Sequence, residues 1–365
     1  MTRLPMSVVK FAGENNLDAY EGMRDYFFHF MSERHNKNIG AYDSTVSFAE
    51  KEEKMNKALF SEIKRVSGQS LDETISLRAW AQNPMVKWAT NAVVDSMIDA
   101  VLPETIIASI GVYTDVDSVG YGETKQYDIE PNSLFTVSEG SNAQRRTFRQ
   151  KQFKTSKTLV PVNHSITVST SLYKVLCGKE SLAEYVRKAI ISLQTEMTKD
   201  AYGALVTLIE GGTFPTQLKQ TGYTQDKLLG LCEVVTAYNE GNRATIVGTS
   251  QALAKILPDQ AAGYRITTPA DGIGIQLIKN FMDYDILVLP QVATGKDYGL
   301  ALSNKEVYIM STGSDSIIKG AMEGTTTANT NDVYANADLT QNTTMNKRWV
   351  FEAVTNATMG VLKFE

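Results

Sequence analysis

The sequence predicts an α+β protein whose two largest elements are a long polar ribbon and a long helix. Three observations carry this. Residues 113–157 read as strand, with Thr, Tyr, Val and Phe in short runs punctuated by Gly and by Pro131, yet no apolar face recurs at every second residue. Directly after it, residues 181–210 carry an uninterrupted helical pattern. Further on, the apolar runs 244–248 and 286–290 predict short buried strands set among helical segments.

Residues 1–70 read as helical with irregular breaks. Leu17, Tyr20, Phe27, Phe28 and Met31 form one stripe, and Met55, Leu59, Ile63 and Val66 recur at spacings of four and three. A polar join at 36–44 separates the two. This region reads as a small lobe or as an arm packed on a neighbour. Residues 85–98 predict a helix on Met85, Trp88, Ala92, Asp95, Met97 and Ile98, with Pro84 in its first turn and Pro103 ending it. Residues 106–112 then predict a strand leading into the ribbon.

The ribbon has few large aliphatics: Val116, Val119, Ile129, Leu134 and Val137. A two-stranded arm with so little to bury is marginal alone in water, so another subunit is expected to complete it. Residues 165–169 return as a strand. In the long helix, Ser181 and Glu184 have capping-box spacing, Leu182, Val186, Ala189, Leu193, Met197, Ala201, Leu205 and Leu208 form the stripe, and Gly211-Gly212 stops it. Thirty residues give roughly 45 Å of helix, a spine for other elements.

Residues 222–344 read as a separate α/β lobe. Within it, 228–238, 250–257 and 275–281 predict helices, 298–302 and 306–310 a hairpin, and 313–342 loop with irregular sheet. Residues 348–354 and 359–364 predict strands returning to the sheet that 106–112 and 165–169 begin.

The chain of 365 residues is 42% apolar, enough for two or three compact units with a real core. Its net charge of −5 argues against a dedicated nucleic-acid binder. Cys177 and Cys232 read as buried free thiols. No basic-then-apolar leader and no apolar run of membrane-spanning length occurs, so assembly in a cytoplasm, without membrane contact, is expected.

Chemistry for catalysis is sparse. His29 and His35 are six apart, too far for a helical metal pair, and His164 beside Ser165 has no assignable third partner. Gly178-Lys179 continues with Glu180, not Ser or Thr, and Gly272-Ile273-Gly274 lacks the third glycine of a dinucleotide loop. No catalytic residue, cofactor or metal ligand is assigned, and the protein is not expected to be an enzyme. A basic run remains: Arg145, Arg146, Arg149, Lys151, Lys154 and Lys157 fall within thirteen residues at the ribbon's end. It reads as inter-subunit contact to acidic patches on identical copies, with phosphate contact and a solvated strand face as the other readings.

This order of elements resembles the major capsid protein of tailed bacteriophages, the Hong Kong 97 fold. The run ATIVGTSQALAKIL, the LVLP strand and the closing RWVFEAV and GVLKF strands add to the likeness. The resemblance implies an N-terminal arm over 1–70, a peripheral domain over 71–112, 161–221 and 345–365 with the spine helix at 181–210, an extended loop over 113–160 and an axial domain over 222–344. It implies a shell protein of a virion, assembled in the bacterial host from pentamers and hexamers around double-stranded DNA touched non-specifically at the inner face, with portal, scaffold or decoration proteins as possible partners. An encapsulin-like compartment is the alternative with the same fold, and an α+β enzyme of unrecognised mechanism the alternative of another class.

Overall fold

In the computed structural model the described residues are 17–35, 40–69, 77–111, 113–129, 135, 137, 150–151, 154–170, 174, 180–211, 214–256, 280–294, 298–311, 315–330 and 341–364. The helices are α1 (Leu17–His35), α2 (Phe48–Ser67), α3 (Leu77–Gln82), α4 (Pro84–Ile110), α5 (Leu182–Glu210), α6 (Gln225–Tyr238) and the short α7 (Ser250–Leu253). The strands are β1 (Thr114–Val119), β2 (Lys125–Ile129), β3 (Thr155–Leu159), β4 (Val162–Thr170), β5 (Lys219–Thr221), β6 (Ala244–Gly248), β7 (Asn280–Phe281), β8 (Tyr284–Val288), β9 (Glu306–Ser311), β10 (Ile318–Glu323), β11 (Thr327–Thr330), β12 (Gln341–Ala353) and β13 (Gly360–Lys363).

They form two sheets and a separate ribbon. In the first sheet β12 is central: β4 lies antiparallel on one edge, β10 and then β11 antiparallel on the other, and β1 pairs parallel with β10. The second sheet has the order β5-β13-β9-β6-β8-β7. The ribbon is β2 against β3.

The spine helix α5 starts as its sequence dictates. The Ser181 hydroxyl accepts from the Glu184 amide at 3.1 Å, and Leu182, Val186, Ala189, Leu193, Met197, Ala201 and Leu205 are buried. Its first half lies under α1, α2 and α4. The Arg187 guanidinium sits 4.0 Å over the Phe30 ring and donates to the Tyr26 hydroxyl at 3.2 Å. Its second half reaches the second sheet, where Tyr202 and Leu205 share one core with Val247, Tyr308 and Val361. The opposite face of that sheet is covered by Leu228, Leu231, Cys232 and Val235 of α6. Burial pushes the Cys232 thiol up to about 12, an inert apolar filler.

Helix α4 departs from expectation. Pro103 lies inside it, and residues expected as strand continue the helix to Ile110. Val101, Leu102, Ile106 and Ile110 are buried around the proline. Their burial, ~1.5–3 kcal/mol each, offsets the ~3 kcal/mol helical penalty of proline. The anticipated apolar stripe also shifts: Val86, Ala89, Val93, Met97 and Ile98 are buried, while Met85 and Trp88 are half exposed.

Three polar residues of α4, each one turn apart, meet alternate residues of β11 and the turn before it. Asn91 accepts from the Thr330 hydroxyl at 2.9 Å, Asp95 from the Ala328 amide at 2.8 Å, and Asp99 from the Thr326 amide at 2.8 Å and its hydroxyl. Four helical residues rise about 6.0 Å and two strand residues about 6.6 Å, so the steps match. The helix thereby satisfies amides on the outer edge of the sheet. Lys347 of β12 closes the ladder, its ammonium 2.6 Å from Asp99, both side chains nearly inaccessible.

Other expectations are corrected in the second sheet and at the C-terminus. Residues 298–302 form no hairpin with β9. A bridge joins Ala293 to Leu300, and β9 pairs with β6 and β13. The VYIM run of β9 is buried on both faces, which suits a central strand, whereas Tyr298 is exposed with a positive φ of 53°. Asn280 and Phe281 are strand, not helix. Strand β12 does return beside β4, but β13 pairs with β5 and β9 in the other sheet. Residues 257–279, including the Gly272-Ile273-Gly274 motif, and Cys177 lie outside the described residues.

The ladder makes stability pH-dependent. Burial raises the Asp95 carboxyl to about 7, with the Asp99 charge adding to it and the Ala328 amide and Lys347 opposing. The hydroxyl of Tyr185 is buried close by, and among the described residues neither it nor Asp95 Oδ1 has a hydrogen-bond partner. Because the folded value lies above the unfolded one, ionisation costs stability as pH rises from about 4 to about 7, ~1.4 kcal/mol for each pH unit between them. Asp95→Asn keeps an acceptor for Ala328 and removes the charge. The variant is expected to melt higher than the wild type at pH 8 and to match it near pH 4. An unchanged pH slope of Tm would contradict this account.

Candidate inter-subunit surface

The surface is built on two sides of the first sheet by the alternation of β12. Met345, Trp349 and Phe351 face the helices. Val350 faces the other way, into a small core with Tyr127, Ile129, Leu159, Ala321 and Val354 that seats the root of the ribbon. Gly320 permits this layering, since a Cβ there would lie 2.7 Å from the Phe351 ring.

The root is held by polar contacts too. Tyr127 donates to the Gly320 carbonyl at 2.9 Å. Glu323, buried, accepts from the Gly122 amide at 3.0 Å and from Arg348 at 2.8 Å, and Arg348 also donates to the Pro161 carbonyl at 3.1 Å. Gly122 turns β1 into β2 at φ 76°, a left-handed position that favours glycine. One carboxylate–guanidinium pair thus joins both ends of the ribbon to the sheet.

The ribbon segment nearest the sheet is therefore satisfied within its own chain, and β1 is an edge strand of that sheet. The expectation that all of 113–157 drapes over an adjoining copy is corrected to this extent. Beyond the root, Phe135 is 57% and Val137 91% exposed.

Of the basic run, Arg145, Arg146 and Arg149 lie outside the described residues. Lys151 and Lys154 are exposed. Lys157 pairs with Glu352 of its own chain at 2.9 Å across an exposed face, a contact worth ~0–1 kcal/mol.

On the helix side, the β4 and β12 ends and the flank of α5 enclose a cleft of about 680 Å³. The His164 ring stacks on Trp349 with centroids 3.8 Å apart. The Trp349 indole donates to Asp200 at 2.8 Å, and His164 Nε2 lies 4.0 Å from the same carboxylate. His164 thus gains a carboxylate neighbour that sequence reasoning could not supply, because Asp200 sits on a helix distant in the chain. Among the described residues no group of three or more His, Cys, Asp or Glu side chains is arranged to hold a metal, and no helix is long and apolar enough to cross a membrane.

Residues 34–363 match the profile of the family described as "SPbeta prophage-derived putative capsid protein YonB". The chain belongs to this capsid-protein family. No curated protein matches it. Among solved structures, the capsid protein is similar to "Capsid of native GTA particle computed with C5 symmetry", with TM-score 0.50 and 13% identity over 70% of this chain and 89% of that one. A weaker likeness is to "Microbacterium phage Oxtober96", with TM-score 0.46 and 10% identity over 70% and 91% of the two chains. Another is to "Asymmetric unit of bacteriophage PhiM1 mature capsid", with TM-score 0.44 and 10% identity over 69% and 85%. The fold is α+β and Hong Kong 97-like, as the order of elements implied. The capsid protein is a structural, non-enzymatic subunit of a virion shell, and membership in the family disfavours an encapsulin-like compartment.

Arg348→Met is expected to strand Glu323 and cost roughly 1.5–3 kcal/mol, measured by urea unfolding, with faster amide exchange at Gly122. Adding Glu323→Gln should restore part of the loss. A double variant whose loss equals the sum of the singles would contradict coupling through this pair.

Proposed function

We propose that the capsid protein closes into an icosahedral head around double-stranded DNA, with pentamers and hexamers as its rings. The lobe of the second sheet serves as the axial lobe at ring centres. The lobe of the first sheet serves as the periphery, and the ribbon beyond its root crosses to an adjoining copy. The observation that carries this is the division of the ribbon: a root locked to its own sheet by Glu323 and Arg348, and an outer part that presents exposed Phe135 and Val137.

Contacts of this kind are heterologous, and they close when the rotations permit. Each can be weak because every copy makes several and the local concentration in a growing ring is high. The net charge of −5 suits a wall that does not grip the packaged polyanion. Assembly in the host cytoplasm, beside whatever portal or scaffold the phage supplies, follows from the same reading.

Electron microscopy of the purified protein is expected to show uniform hollow particles. A variant with residues 130–154 replaced by a tight turn keeps β2 paired with β3 and is expected to be folded and soluble but to form no particles. A cut over 118–155 would remove parts of β1 and β3 and all of β2, so it tests the root instead. Wild-type protein that stays monomeric at high concentration, or particles formed by the 130–154 variant at wild-type yield, would contradict the proposal.

A further inference from the structure

The sheet edges of this chain are treated unequally. In the second sheet the edge strands β5 and β7 are three and two residues long, too short to template another chain. In the first sheet β1 carries Asp115 and Asp117, paired with Lys319 and Lys125, and the outer side of β11 is taken by the Asp95 and Asp99 carboxylates of α4. The ribbon strands carry Lys125, Asp128 and Lys157. Each device discourages edge-to-edge pairing.

Strand β4 has none of them. It runs nine residues as VNHSITVST, with no Lys, Arg, Asp, Glu, Pro or Gly. Its register against β12 is unbroken from Val162 to Thr170, so no bulge turns it aside. Among the described residues no strand pairs with its other edge, and Val162, Asn163, Ser165 and Thr167 are exposed. In an antiparallel ladder every second residue points both its N–H and its C=O away from the partner, so β4 presents a row of open backbone groups. His164, the strand's one titratable side chain, faces the helices against the Trp349 ring.

We propose that β4 pairs antiparallel with β4 of a second copy about a two-fold axis perpendicular to the sheet, extending the first sheet across two subunits. The inference goes beyond the shell reading, since it needs only one other copy. With the axis at Ile166, the middle residue, all nine residues of each strand pair and Ser165 lies opposite the partner copy's Thr167. No like charges meet, and Ser, Thr and Asn side chains face one another on the exposed side. A perpendicular axis also keeps each face of the sheet on its own side. The spine helices of both copies then lie on one side of a continuous sheet, as a closed wall with a common inner face requires. The contact is isologous and joins copies in pairs, so it links rings and leaves the ring contacts free.

Exposed Ser165 and Thr167 provide the test in the full chain. Ser165→Cys combined with Thr167→Cys is expected to give, on mild oxidation of assembled particles, covalent dimers and nothing larger on a non-reducing gel. Oxidised wild type, which holds Cys177 and Cys232, is expected to run as monomer. Ser165→Lys with Thr167→Lys sets like charges opposite each other, as does Ser165→Glu with Thr167→Glu. Each charged variant is expected to keep the wild-type Tm and circular dichroism and to lower particle yield at least tenfold, and an equimolar mixture of the two should recover it. Intact cysteine-variant particles without covalent dimers, or a ladder of larger multimers, overturn the proposal and leave the shell reading in place. Wild-type yield from both charged variants does the same. A loss that mixing does not restore also overturns it, because the edge then meets something other than itself. Cross-linked dimers without particles support the pairing and overturn the shell reading. Wild type that stays monomeric at high concentration overturns both.

Discussion

Three consecutive residues of one strand hold the molecule together. Lys347 points to the helices and meets Asp99 of α4 at 2.6 Å. Arg348 points to the other side and meets Glu323 and the Pro161 carbonyl at the root of the ribbon. Trp349 points back to the helices and donates to Asp200 of the spine. The alternation of a β-strand places these contacts on opposite faces of the sheet. Helix, sheet and ribbon are thus registered against each other by a single segment, which is central because the distant β4 pairs with one edge of it and the preceding β10 and β11 with the other.

Charges buried at such a junction do not come free, since each must leave water. Lys347 and Asp99 are paired and further bonded through Thr326, which limits the cost. Among the described residues the cation nearest in effect to Asp95 is Lys347, which is paired with Asp99, and the raised Asp95 carboxyl marks where the arrangement is least comfortable. Its one amide partner belongs to an edge strand that would otherwise present open backbone groups. The ladder therefore gives up stability near neutrality and covers a sheet edge in a protein that must meet its own copies only where intended.

Much of this was legible in the sequence where a local rule decides the outcome. The spine helix followed from its capping residue Ser181 and a stripe from Leu182 to Leu205, and β6 and β8 followed from short apolar runs. Pro103 misled because burial of Val101, Leu102 and Ile106 outweighs a local penalty. Residues 359–364 went to the wrong sheet because an apolar strand carries no label for its partner. The acid ladder was invisible: Asn91, Asp95 and Asp99 are spaced like any solvated helical face, and their partners lie more than 220 residues away. The ribbon's polar character was plain, but not that Glu323 and Arg348 fasten its root, nor that Asp200 would stand beside His164.

The resulting picture is a subunit whose sheet, spine and ribbon root are completed within one chain. The central claim is that the ribbon beyond its root is completed by another copy. Hydrogen exchange, compared between isolated subunits and assembled particles, tests it most directly. The account predicts that amides of β2 and β3 are protected in both states, while those around Phe135 and Val137 gain protection on assembly. Equal protection of the 135–137 segment in the isolated subunit and in the particle would contradict it.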